Sequence, residues 1–175
     1  QLMENPESAN PIRNVSDTAL WVAVYRAMES ERKDALFHDP FARRLAGERG
    51  QAIVDAMPRG KELAWAMIVR TAVMDELILQ CIRDGATSIL NLAAGLDTRA
   101  FRLDLPESLH WYHVDFPPMV EYVKDKLTGE KPRCALEYVA ADLREPGQRD
   151  SIFRKAAENG PVLVITEGLL VYLPA

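Results

Sequence analysis

The chain has 175 residues, a formal net charge of -5 and a sequence pI near 5.3. With 48% hydrophobic and 27% charged residues it is ordinary globular material, long enough to bury one sizeable core. The acidic balance argues against nucleic-acid binding, and no apolar run approaches the ~18 residues of a membrane span.

Residues 1–15, rich in Asn and Pro, read as a mobile arm. Ser16 or Asp17 can cap a helix reaching about Arg32, with Leu20, Val24, Ala27 and Met28 on one face. Asp39-Pro40 predicts a second helix start, an N-cap acid followed by proline at the first helical position. Phe41 and Leu45 would share its buried side, and Gly47 or Gly50 would end it. A break at Pro58–Gly60 precedes a long helix from Glu62 to about Arg83. Leu63, Met67, Val73, Leu77 and Cys81 would line its buried stripe, and Gly85 would stop it. Residues 16–84 thus read as a helical cap preceding a second half, 85–175.

That half alternates strands with helices. Strands are expected at about 88–94, 110–114, 136–140 and 162–166, with helices at 117–129 and 148–158. The alternation implies an α/β sheet of parallel strands joined by right-handed crossovers. The first strand stops at Gly95, and a ligand-facing loop follows. Asp115 closes the second strand 20 residues after Gly95. A glycine turn and a strand-end acid at that spacing form the nucleotide-site arrangement of doubly wound folds. The glycine lets backbone approach the ligand, and the acid accepts from ribose hydroxyls. Positions 93 and 98 are Ala and Thr, so the three-glycine pyrophosphate pattern is missing. A ligand without pyrophosphate, such as S-adenosylmethionine, fits better than NAD.

Further candidates sit in the same layer. Asp142 ends the third strand and could accept from an adenine amino group, or cap the next segment. Glu167 ends the buried fourth strand and needs a partner, either a ligand ammonium or a nearby arginine. Arg70, within the long helix, suits a ligand carboxylate, or it snorkels at the surface. His38, His110 and His113 lack metal-ligand spacing, so no metal is expected. Trp21, Tyr25, Trp65 and Trp111 read as packing residues. Cys81 and Cys134 suggest a reducing, cytoplasmic compartment without disulfides, and no signal-peptide pattern is present.

The segments Val24–Arg26, His38–Phe41, Asn91–Arg99, Val114–Pro117 and Thr166–Tyr172 together resemble the leucine carboxyl methyltransferase family. The closer likeness is to its bacterial, mycobacterial-type branch of S-adenosylmethionine-dependent methyltransferases. The resemblance implies a Rossmann-like class I methyltransferase fold, of which this chain would hold strands 3-2-1-4 and the helical cap. It implies that Arg70 holds the methionyl carboxylate and that Ala94 and Gly95 line the methionine moiety. Asp115 would bind the ribose, Asp142 and Leu143 the adenine, and Glu167 would sit near the amino group, with Phe116 also at the cofactor. The acceptor would be a small molecule, polyketide-like or lipid-like, with no catalytic residue assigned.

The missing initial Met and the end soon after Glu167 lead us to expect a longer parent protein lacking here its substrate half, or alternatively a small complete four-stranded protein. An open fourth-strand edge in such a chain would invite pairing with a second copy. The rival functional readings are an NAD-dependent oxidoreductase and a non-catalytic fragment that binds cofactor or self-associates.

Overall fold

The computed structural model describes residues 15–57 and 59–169. The arm before residue 15, the break at Pro58 and the segment from Leu170 onward lie outside the described residues.

Three helices come first: α1 (Val15–Ser30), α2 (Ala42–Asp55) and α3 (Gly60–Arg83). Neither capping expectation holds in its simple form. Asp17 lies inside the first turn of α1, buried, where its carboxylate accepts from Arg49 Nε and Nη2 at 2.8 Å. Asp39 Oδ1 accepts from the Phe41 amide at 3.1 Å and its carbonyl from the Ala42 amide at 3.4 Å, a turn that leads into α2 at Ala42. Gly47 does not end α2. At φ +59° it kinks the helix, which runs on to Asp55. Gly50 lets α2 press onto α1: an added Cβ would lie 3.0 Å from the Leu20 carbonyl oxygen.

The buried face of α3 also differs from the expected stripe. Val73 is 49% exposed, Leu77 54% and Trp65 59%, whereas Ala64, Ile68, Thr71, Asp75 and Ile78 are buried. The side chain of Leu63 is outside the described set. Thr71 and Asp75 are polar, outside the expected stripe. Asp75 is nevertheless buried because two arginines meet it there. On α1, Val24 and Ala27 are buried, whereas Met28 is partly exposed.

The remaining elements are β1 (Ser88–Leu92), α4 (Arg99–Arg102), β2 (His110–Asp115), α5 (Pro117–Lys126), β3 (Ala135–Ala140), α6 (Pro146–Ala157) and β4 (Val162–Ile165). Each strand falls within one or two residues of its expected bounds. The short helix α4 occupies what reads as loop. The sheet order is β3-β2-β1-β4 and all three pairings are parallel, giving the Rossmann-like arrangement expected.

Alternation along the strands divides the core into two layers. Ile89, Trp111 and Ile165 pack with Ala23, Leu45, Ile78 and Val123 of the helices on one face. Leu90, Leu92, Tyr112 and Val114 pack with Ile152 and Ala156 of α6 on the other. β1 is buried throughout, as a parallel strand covered on both faces must be. β4 forms one edge of this sheet, with Val164 partly exposed. Among the described residues no helix is long and apolar enough to cross a membrane. Cys81 and Cys134 are free thiols.

Candidate functional site

The strand order reverses between β1 and β4, and a crevice outside the strand carboxyl ends is expected at such a switch point. A pocket of about 590 Å³ lies there. Its lining includes Arg70 from α3, Ala94 and Gly95 after β1, Asp115 and Phe116 at the end of β2, Asp142 and Leu143 after β3, and Glu167 after β4. All eight residues singled out in the sequence therefore face one volume. Size and chemistry fit a nucleoside-sized ligand carrying both an ammonium and a carboxylate.

The turn after β1 is held in an uncommon conformation. Ala93 has φ 50° and Gly95 φ 55°. The first is strained for an L-residue, at a cost of roughly 1–2 kcal/mol. Asp115 fixes this turn from the neighbouring strand: Oδ2 accepts from the Gly95 amide and Oδ1 from the Phe116 amide, both at 2.7 Å. His113, buried one pleat earlier, has Nε2 3.2 Å from the Gly95 carbonyl oxygen. A carbonyl only accepts, so the neutral ring carries its proton on Nε2. Burial pushes its pKa down, against the pull of Asp97, Asp115 and the Gly95 carbonyl.

Glu167 takes Arg70 Nε on Oε1 at 2.9 Å and Arg99 Nη1 on Oε2 at 2.7 Å. Its arginine partner and its place at the ligand pocket are thus not exclusive alternatives. Asp142 is spanned by Arg144, with Oδ2 2.6 Å from Nη2, and it also accepts from the Arg144 amide. These bonds hold its carboxyl down at about 2. Arg144 lies in turn over the Phe116 ring, 5.8 Å from its centre.

A charge network that sequence reasoning missed contributes Arg26, Asp97, Arg99 and Arg102 to the lining of the same pocket. Arg99 donates to Asp75 at 2.7 Å, to Asp97 at 2.8 Å and to Glu167 at 2.7 Å. Arg102 holds both oxygens of Asp75 at 2.6 and 2.8 Å. Asp39 takes Arg26 Nε at 2.9 Å and the Thr98 hydroxyl at 2.7 Å, while Arg26 Nη2 reaches the Leu96 carbonyl at 2.6 Å. Burial works to raise the Asp97 carboxyl, but Arg99, through charge and its amide, with Arg102 and Arg26, holds it at about 2. The signal in the chain was the charge pattern Asp97-Thr98-Arg99 with Arg102, in the stretch read as a ligand-facing loop, and Asp75 on the long helix. Trp21, expected in the core, is buried and also lines the pocket, beside Thr18, Ala19 and Val22 of α1.

Curated relatives share this sequence over most of its length. A Streptomyces coelicolor protein is 38% identical over 169 residues, 90% of this chain and 59% of its own. A Streptomyces avermitilis protein is 36% identical over the same shares. A Mycobacterium tuberculosis protein is 34% identical over 179 residues, 93% of this chain and 58% of its own. Each bears the name "putative S-adenosyl-L-methionine-dependent methyltransferase". The chain thus spans about three fifths of the length of these relatives. The profile that describes leucine carboxyl methyltransferases matches residues 19–175, and the chain belongs to that family.

Proposed function

We propose that the protein is an S-adenosylmethionine-dependent methyltransferase acting on a carboxylate or hydroxyl oxygen of its acceptor. The observation that carries this reading is the convergence of Arg70, Gly95, Asp115 and Glu167 on one pocket, in a chain of this family. The relatives' names point the same way.

The donor set suits the cofactor. Arg70 spends Nε on Glu167, and its terminal nitrogens serve the methionyl carboxylate. Glu167 receives the ammonium group. Asp115 uses one lone pair of each oxygen on the Gly95 and Phe116 amides and keeps others for ribose hydroxyls. Phe116 and Leu143 supply apolar surface for the adenine, beside Asp142. Gly95 brings backbone close to the ligand without a side chain in the way, and Ala19 of α1 packs over it.

When bound, S-adenosylmethionine supplies an electrophilic methyl group on its sulfonium. The protein's own share is orientation and exclusion of water: α1 closes one wall with Ala19, Trp21 and Val22. A carboxylate acceptor needs no general base, whereas a hydroxyl acceptor needs one.

Calorimetry with S-adenosylhomocysteine tests the reading, with saturable binding expected in the micromolar range. Absence of heat at high micromolar ligand would overturn it. NADH compared with S-adenosylmethionine in a thermal-shift assay separates the oxidoreductase alternative, because only a ligand of the native state raises the midpoint.

A further inference from the structure

Arg99 is only 4% exposed at its side chain, and three carboxylates surround it. Burial alone would favour losing its proton. The charges of Asp97, Glu167 and Asp75 reverse that and raise its pKa well above the ordinary value. The three acids come from different places: Asp75 from α3, Asp97 from the turn after β1, and Glu167 from the end of β4. Arg70 lies on the same helix as Asp75, five residues earlier. The contacts therefore close a ring, running from Arg70 to Glu167, to Arg99, to Asp75 and back along α3.

A closed ring of this kind has a geometric consequence. Glu167 cannot rotate without breaking a 2.9 Å bond on one oxygen or a 2.7 Å bond on the other. Among the described residues, Arg70, whose side chain is 36% exposed, is anchored by Glu167. Without Arg99, the acid would be free to follow Arg70 toward solvent, and the two groups would lose their common orientation. Arg102 backs the ring by holding Asp75 on both oxygens.

We propose that Arg99 is a positioning residue for the amino-acid end of the ligand. It fixes Glu167 against Arg70 so that ammonium and carboxylate are recognised together. The proposal rests on the reading of the pocket as an S-adenosylmethionine site.

The test compares two ligands by calorimetry. S-adenosylhomocysteine carries the amino-acid group; 5′-methylthioadenosine keeps the nucleoside and thioether and lacks it. Loss of charge-assisted hydrogen bonds predicts that Arg99→Lys weakens S-adenosylhomocysteine by about tenfold to a hundredfold. Methylthioadenosine should weaken by less than about threefold, since only the amino-acid contacts are lost. Asp75→Asn removes one anchor of the ring and keeps Arg99, and it should show the same imbalance at smaller size. If Arg99→Lys does not fold, this second variant carries the comparison. Parallel losses for both ligands, or no folding in either variant, would make Arg99 a structural element only and overturn the proposal. Wild-type protein that binds neither ligand would overturn the methyltransferase reading and this proposal with it.

Discussion

Asp115 Oδ2 accepts the Gly95 amide at 2.7 Å, joining two residues 20 apart in the chain. The spacing that first marked a nucleotide site is therefore a physical contact across β1 and β2. The acid that would serve the ribose also shapes the turn. Asp115→Asn replaces one acceptor oxygen with a donor facing an amide N–H. We expect stability to fall by about 1–3 kcal/mol and S-adenosylhomocysteine to bind at least about tenfold more weakly. Urea denaturation and calorimetry measure the two effects, and an unchanged affinity would remove Asp115 from the ligand.

Gly95 separates strain from space. Its φ is +55°, and an added Cβ would meet Ala19 Cβ at 3.5 Å, an ordinary contact. Gly95→Ala should therefore cost only the left-handed penalty, roughly 1–2 kcal/mol. A larger branched residue would push against α1 and cost more. A denaturation series of Ala and Val variants checks this, and equal losses for both would contradict it.

Gly50 reverses the balance. A Cβ there would lie 3.0 Å from the Leu20 carbonyl oxygen and 3.2 Å from Val24 Cγ2. Alanine improves helix propensity by about 1 kcal/mol, but overpacking costs about 1–3 kcal/mol. Backbone atoms yield least, so Gly50→Ala should destabilise. A raised denaturation midpoint would show that α1 and α2 can part without loss.

Acid sensitivity should report on Asp97. Its folded carboxyl lies at about 2, below its ordinary 3.8. A depressed carboxylate stabilises the fold above the ordinary value and loses that contribution as pH falls toward 2. The loss is on the order of 2 kcal/mol. Denaturation midpoints followed from pH 5 to about pH 2 should drop more steeply for wild type than for Asp97→Asn. Parallel curves would place the acid-labile charge elsewhere.

The amino-acid sequence by itself determined the run of elements. Apolar strands bounded by Gly and Pro, alternating with amphipathic stretches, leave few solutions besides a parallel sheet. Glycine and acid at strand ends marked the pocket, because ligand sites in such sheets lie there. Tertiary structure alone decided which charges are buried. Periodicity sent Val73 and Leu77 inward, whereas the fold exposes them and buries Thr71 and Asp75 instead. The reason is pairing. Burying a lone charge costs several kcal/mol, and Asp75 can be buried because Arg99 and Arg102, 24 and 27 residues away, meet it. Arg99 in turn is stable inside because Glu167 approaches from 68 residues further on. No local window contains both members of these long-range pairs, so the network at the pocket is complete only once the sheet has brought them together.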